Sequence, residues 1–251
     1  MRTDRRRAST SRGTSRCTPK TGSLFDEFQE SDPQSYCTNP KIVAALPRDR
    51  WLLTSLLQKA VRRGRTDYAV AAADSLVLAE PDYVAARLPI IAYEDVGVAD
   101  LTCLLWTKQA AATIPVQTQT ERRKIATAIA GRLADALKSR TACDILCLTN
   151  CSPEATQYAD DLVRLGLTDW IDAATTSTQP LIKRAVAWRF ILGLAAGGRR
   201  PNIAVAGSRN AVLATAAEAM QLPLGLVAAI QAGTGTHNLH AALALAHELL
   251  H

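Results

Sequence analysis

Aromatic residues are scarce in this sequence, only 5% of 251 positions, which argues against a β-sandwich built on aromatic and β-branched faces. No apolar run reaches the ~18 residues that a membrane-crossing helix needs. The N-terminus carries no apolar stretch of the secretory type. It is Arg- and Ser-rich like a transit peptide, but between Met1 and Gly22 no large apolar residue follows Met1 to build an amphipathic face. A phosphate-cradling GxxxxGKS or GxxxxGKT is missing throughout, and Gly233-Thr234-Gly235-Thr236 lacks the lysine such a loop uses. These gaps give no basis for a membrane protein, a secreted protein or a nucleotide-hydrolysing motor, and the expected location is the cytoplasm.

What is present points to helices. The hydrophobic fraction is 48%, dominated by Ala and Leu, so helices packed closely through small side chains are expected. The predicted fold class is all-α: packed helical hairpins with a disordered basic N-terminal arm. The net charge of +6 lies wholly in residues 1–22, where seven basic residues, Arg5, Arg6 and Arg7 among them, face Asp4 alone. The rest of the chain is balanced at 22 basic and 22 acidic residues, so an anionic partner is felt first by the arm.

From Met1 to Pro47 the chain is polar and aperiodic, and disorder is expected. Inside it, Ser23-Leu24-Phe25-Asp26-Glu27-Phe28 is a short apolar island. Its Ser-Leu-Phe resembles the end of the sliding-clamp-binding pentapeptide, with Thr21 where that motif has Gln; incidental packing on the body is the other reading. Order is expected near Arg48. Asp49 precedes Trp51, Leu52, Leu53, Leu56, Leu57, Ala60 and Val61, an amphipathic stripe that ends at Gly64. A second helix is expected over Thr66–Ala79, and Glu80-Pro81 separates it from a third starting near Asp82. Residues 48–114 thus form one helical domain, and 120–251 a further helical region, either separate or continuous with it. There a helix runs from Glu121 through Leu137, and Ser152-Pro153 opens another that reaches Gly166. Pro180–Leu194 and Asn210–Met220 also read as helices, Asn202–Ala206 as a short strand, and the last helix starts at Thr236 or His237.

One segment resembles a known family. Lys59-Ala60-Val61-Arg62, the Ala-rich second helix, Ala86-Arg87-Leu88, and Ile90 to Asp100 (IIAYEDVGVAD) together resemble the C-terminal helical domain of MgsA-type replication-associated recombination ATPases, relatives of clamp loaders. The likeness covers about a fifth of the chain, Leu56–Asp100. It implies a collar-like helical module that assembles into oligomers and associates with DNA at stalled forks. Because the motor's phosphate loop is absent, the implied role is that of an accessory, with DNA, an AAA+ ATPase, a sliding clamp or further copies of the chain as partners.

Four features carry candidate chemistry. Lys59, Arg62, Arg63 and Arg65 cluster at the end of the first helix of the body, where they complement the helix dipole or contact phosphates. With Arg5, Arg6 and Arg7 they are the candidate nucleic-acid-binding residues. Glu94 and Asp95 are expected to pair with Arg87 or cap the next helix, since adjacent helical residues diverge by about 100° and make a poor catalytic pair. Cys143, Cys147 and Cys151 share a helix face; their spacing is not that of a structural zinc knuckle, so a buried stripe of reduced thiols is expected. His247-Glu248-Leu249-Leu250-His251 matches HExxH, the metallopeptidase pattern in which two His bind zinc and Glu activates water. No third ligand is expected downstream of His251, and His240 lies about 16 Å away along the helix, so a chance match is preferred and no cofactor is expected.

Overall fold

Asn39 and Pro40 start the first helix: the Asn39 carboxamide oxygen accepts the Lys41 N–H at 3.0 Å, and proline at N1 has no N–H to leave unsatisfied. This helix, α1 (Pro40–Ala45), falls in the stretch expected to be disordered. Tyr36 explains the difference, because its ring lies so close over Gly131 that a Cβ there would meet it at 2.5 Å, and its hydroxyl donates to Asp135 at 2.9 Å. The expectation of disorder through residue 47 is therefore corrected from Tyr36 onward. The computed structural model describes residues 36–202, 214, 215, 217, 218 and 222–232.

The next three helices follow the sequence pattern closely. In α2 (Arg50–Arg62) the Asp49 carboxylate caps the Leu52 N–H at 2.9 Å. Gly64, at φ +64°, ends it: Arg65 N–H reaches Ala60 O at 2.8 Å and Gly64 N–H reaches Val61 O at 3.1 Å, the paired bonds of a Schellman turn. α3 (Thr66–Ala79) is buried almost all round, with Ala69, Val70, Ala71, Ala72, Ala73, Leu76 and Val77 all inside. α4 (Pro81–Ile91) carries Pro89 near its end, and the ladder beyond that missing donor widens into a π-turn over Ala92–Val96. Gly97, at φ +53°, closes the turn. A Cβ on Gly97 would stand 2.8 Å from the Ser139 carbonyl oxygen, so both backbone angle and space select glycine.

Asp100, rather than Glu94 or Asp95, caps the following helix α5 (Leu101–Thr113), accepting the Cys103 N–H at 2.8 Å. Thr118 then caps α6 (Gln119–Asp135). α6 lies along α3, and the Arg123 guanidinium grips the Asp74 carboxylate with two bonds of 2.6 and 2.8 Å. The helix ends at Asp135, two residues short of the Leu137 that the sequence pattern places in it, and Leu137 stands 74% exposed. Trp51 and Leu52, also placed on the apolar stripe by the sequence, are 65% and 59% exposed; Arg50 stacks on the Trp51 ring at 4.7 Å.

The rest of the described chain forms α7 (Thr141–Cys151), α8 (Pro153–Leu162), α9 (Leu167–Thr175), α10 (Leu181–Ile191) and α11 (Leu224–Ala232). Trp170, Trp188 and Phe190 fill this region; Trp170 meets Phe190 edge-on at 5.7 Å and donates its indole N–H to Leu162 O at 2.8 Å. On α7 the expected cysteine stripe is reversed. Ala142, Ile145 and Thr149 point inward, and at about 100° per residue the three cysteines fall on the opposite side: Cys143 is half-buried, while Cys147 and Cys151 are exposed.

Among the described residues there are eleven α-helices and no strand, and the chain is all-α as expected. No helix among them is long and apolar enough to cross a membrane. All of them belong to one compact unit, Ser35–His251, and the packing of α6 on α3 joins residues 48–114 to the helices that follow. The expected strand at Asn202–Ala206 and the helices over Asn210–Met220 and from His237 lie wholly or mostly outside the described residues, whereas α11 was not anticipated.

Candidate functional site

The basic cluster read from the sequence is assembled by the Schellman end of α2. Lys59 and Arg62 occupy its last turn, Arg63 is its C-cap, and Arg65 follows the left-handed Gly64. Cations at this end complement the partial negative charge of the terminal carbonyls. Next to it lies the C-terminal end of α6, where Thr66 Oγ1 donates to Asp135 at 2.5 Å. Lys138 donates to the Ala134 carbonyl at 2.9 Å and to that of Ala136, and burial pushes its ammonium below the usual lysine range.

The four candidate side chains do not behave alike. Lys59 and Arg63 are exposed, and neither side chain is engaged in a hydrogen bond or ion pair among the described residues. Arg65 is exposed as well, beside Asp67 at 3.4 Å and over the Tyr68 ring at 4.9 Å. Arg62 turns inward: its Nε donates to Asp95 Oδ1 at 2.6 Å, with the Asp95 side chain 0% exposed and that of Arg62 37%. Arg62 is therefore removed from the free surface charge and given to the π-turn.

Around that turn a polar cluster forms. Gln58 donates through Nε2 to Glu94 and, at 3.3 Å, to Asp95 Oδ2, while its Oε1 accepts from Arg87 Nη2 at 2.5 Å. Arg87 and Glu94 approach to 3.9 Å, the pairing expected from sequence. Arg140 brings a further cation to 3.7 Å from Asp95, and Ser139 N–H donates to the Asp95 backbone oxygen at 3.2 Å. One buried carboxylate thus ties α2, the π-turn and the start of α7 together. Sequence reasoning missed Gln58 and Arg140. Gln58 had a signal, since it precedes Arg62 by one helical turn and must share its face. Arg140 had none, as only the tertiary fold brings it near.

Arg5, Arg6, Arg7, His247 and His251 lie outside the described residues. Among the described residues, no group of three or more His, Cys, Asp and Glu side chains is arranged to hold a metal ion. Comparison with family models, curated proteins and solved structures finds no match to this chain.

Proposed function

We propose that this chain is a non-enzymatic accessory of DNA replication or repair, a helical collar-like body that binds DNA backbone through the end of α2 and the basic arm. The observation that carries the reading is the division of labour at that helix end. The nearby buried acid takes Arg62, while Lys59 and Arg63 stand exposed with no acid of their own. Free cations on a rigid helix terminus suit phosphates, and such contacts add affinity without choosing a sequence. The likeness of Leu56–Asp100 to the helical domain of replication-associated ATPases supports the same reading, and an ATPase, a sliding clamp or further copies of the chain are the protein partners it suggests.

The test is fluorescence anisotropy of single-stranded and forked DNA over a salt series, with the full chain and a form lacking residues 1–35. Both are expected to bind at low salt, the shortened form more weakly and with a shallower salt dependence. Absence of binding by both forms at low salt overturns the reading.

A further inference from the structure

We propose that Cys147 and Cys151 form a two-coordinate site for a soft d10 cation, with Cu(I) as the representative ion. The site lies on the reversed face of α7, away from the end of α2. Ala142, Ile145 and Thr149 anchor the helix inward, so its outer face presents Cys147 and Cys151 to solvent one turn apart. At that spacing helical Cβ atoms stand about 5–6 Å apart. A disulfide needs Cβ atoms about 3.5–4.5 Å apart, so these thiols cannot close on each other while the helix is intact. A single metal atom bridges them readily: with metal–sulfur bonds of about 2.3 Å, a near-linear S–M–S unit spans roughly 4.6 Å.

The number of ligands selects the ion. Cys143 continues the stripe but is half-buried, and its Sγ accepts a long hydrogen bond of 3.8 Å from Arg140 Nη2. It also stands eight residues, about 12 Å, from Cys151, too far to share one ion with it. The described residues offer no set of three or more metal-ligating side chains, so the four ligands of a structural zinc site are not available there. Among the described residues the pair offers two thiolates, which suit a soft ion content with two ligands. Binding replaces two S–H bonds by two Cu–S bonds and releases two protons, giving an anionic dithiolate complex with no change in copper oxidation state.

The experiment is anaerobic titration of the reduced full chain into Cu(I) held by excess bicinchoninate, with circular dichroism of each variant to verify helix content. One equivalent of Cu(I) is expected to transfer to the chain, to be lost in Cys147→Ser and in Cys151→Ser, and to survive in Cys143→Ser and Cys37→Ser. Retention of the ion by the Cys147→Ser/Cys151→Ser double variant, or its loss in Cys143→Ser, overturns the proposal. X-ray absorption of the loaded full chain needs no variant: two sulfur neighbours are expected, and a third sulfur or a nitrogen neighbour counts against the site.

Discussion

Around α3 the core is made of alanines, Ala69, Ala71, Ala72 and Ala73, with Val70, Leu76 and Val77, whereas around α10 the buried alanines, Ala173, Ala174, Ala185 and Ala187 among them, are joined by Trp170, Trp188 and Phe190. Charge is handled as differently as volume. In the first region the carboxylates are inside, and the guanidiniums of Arg123 and Arg62 reach in from solvent to Asp74 and Asp95. In the second region the guanidinium itself is inside: Arg189 is buried, donating to the Ala195 carbonyl at 2.6 Å and lying 3.4 Å from Thr149 Oγ1. Burial away from water draws the Arg189 guanidinium down to about 10. Exposed cations border both regions, Arg164 and Arg200 the second, but only in the first do two of them, Lys59 and Arg63, stand together at the end of one helix among the described residues.

The largest expected effects come from changes of core volume. Trp170→Ala should lower the unfolding free energy by about 3–5 kcal/mol, since it empties an aromatic site and removes the indole bond to the Leu162 carbonyl. Ala72→Leu makes the opposite error, overfilling the close approach around α3, and should cost about 1–3 kcal/mol. Urea denaturation measures both, and a larger loss for Ala72→Leu would reverse the assignment of the two cores. Arg62→Ala is expected to cost about 2–3 kcal/mol because it strips the direct cation from a carboxylate with no exposed surface. Arg62→Lys should recover only part of that loss, because an ammonium lacks the guanidinium fork.

The smallest effect is in alkali. Burial pushes the Cys103 thiol from 9.0 up to about 11, so the folded chain keeps a proton that the unfolded chain releases in that interval. This contribution to stability is fully present below pH 9 and lost as pH rises to about 11. Tyr36, raised from 10.0 to about 12 by burial and its bond to Asp135, acts in the same direction at higher pH. The difference between the full chain and Cys103→Ala, followed by denaturation from pH 8 to 11, should therefore shrink as pH rises; a constant difference would contradict it.

Local signals in the sequence were legible wherever one residue type admits one backbone solution. Asp49 before an apolar stripe, Gly64 after it, and Pro81 at a helix start place α2, α3 and α4 nearly to the residue. Facing was harder. Periodicity put Cys143, Cys147 and Cys151 on one side of α7 correctly, but the side that packs was decided by Ala142, Ile145 and Thr149. Trp51 and Leu52 failed similarly, because the first turn of α2 extends past the core that Leu53 and Leu57 enter. Of the candidate site, Lys59, Arg63 and Arg65 were readable as a helix-end cluster. The diversion of Arg62 to Asp95, 33 residues away, depends on the π-turn after Pro89 that no helix period announces.

Contact between phosphate and the free cations at the end of α2 is tested by comparing the full chain with Lys59→Glu/Arg63→Glu. The measurement is the slope of log affinity against log salt on single-stranded DNA, with thermal unfolding as the check that the body is intact. A weaker complex and a slope shallower by roughly 1.4 are expected, two contacts at about 0.7 each on single strands. An unchanged slope and affinity in a folded double variant would contradict it.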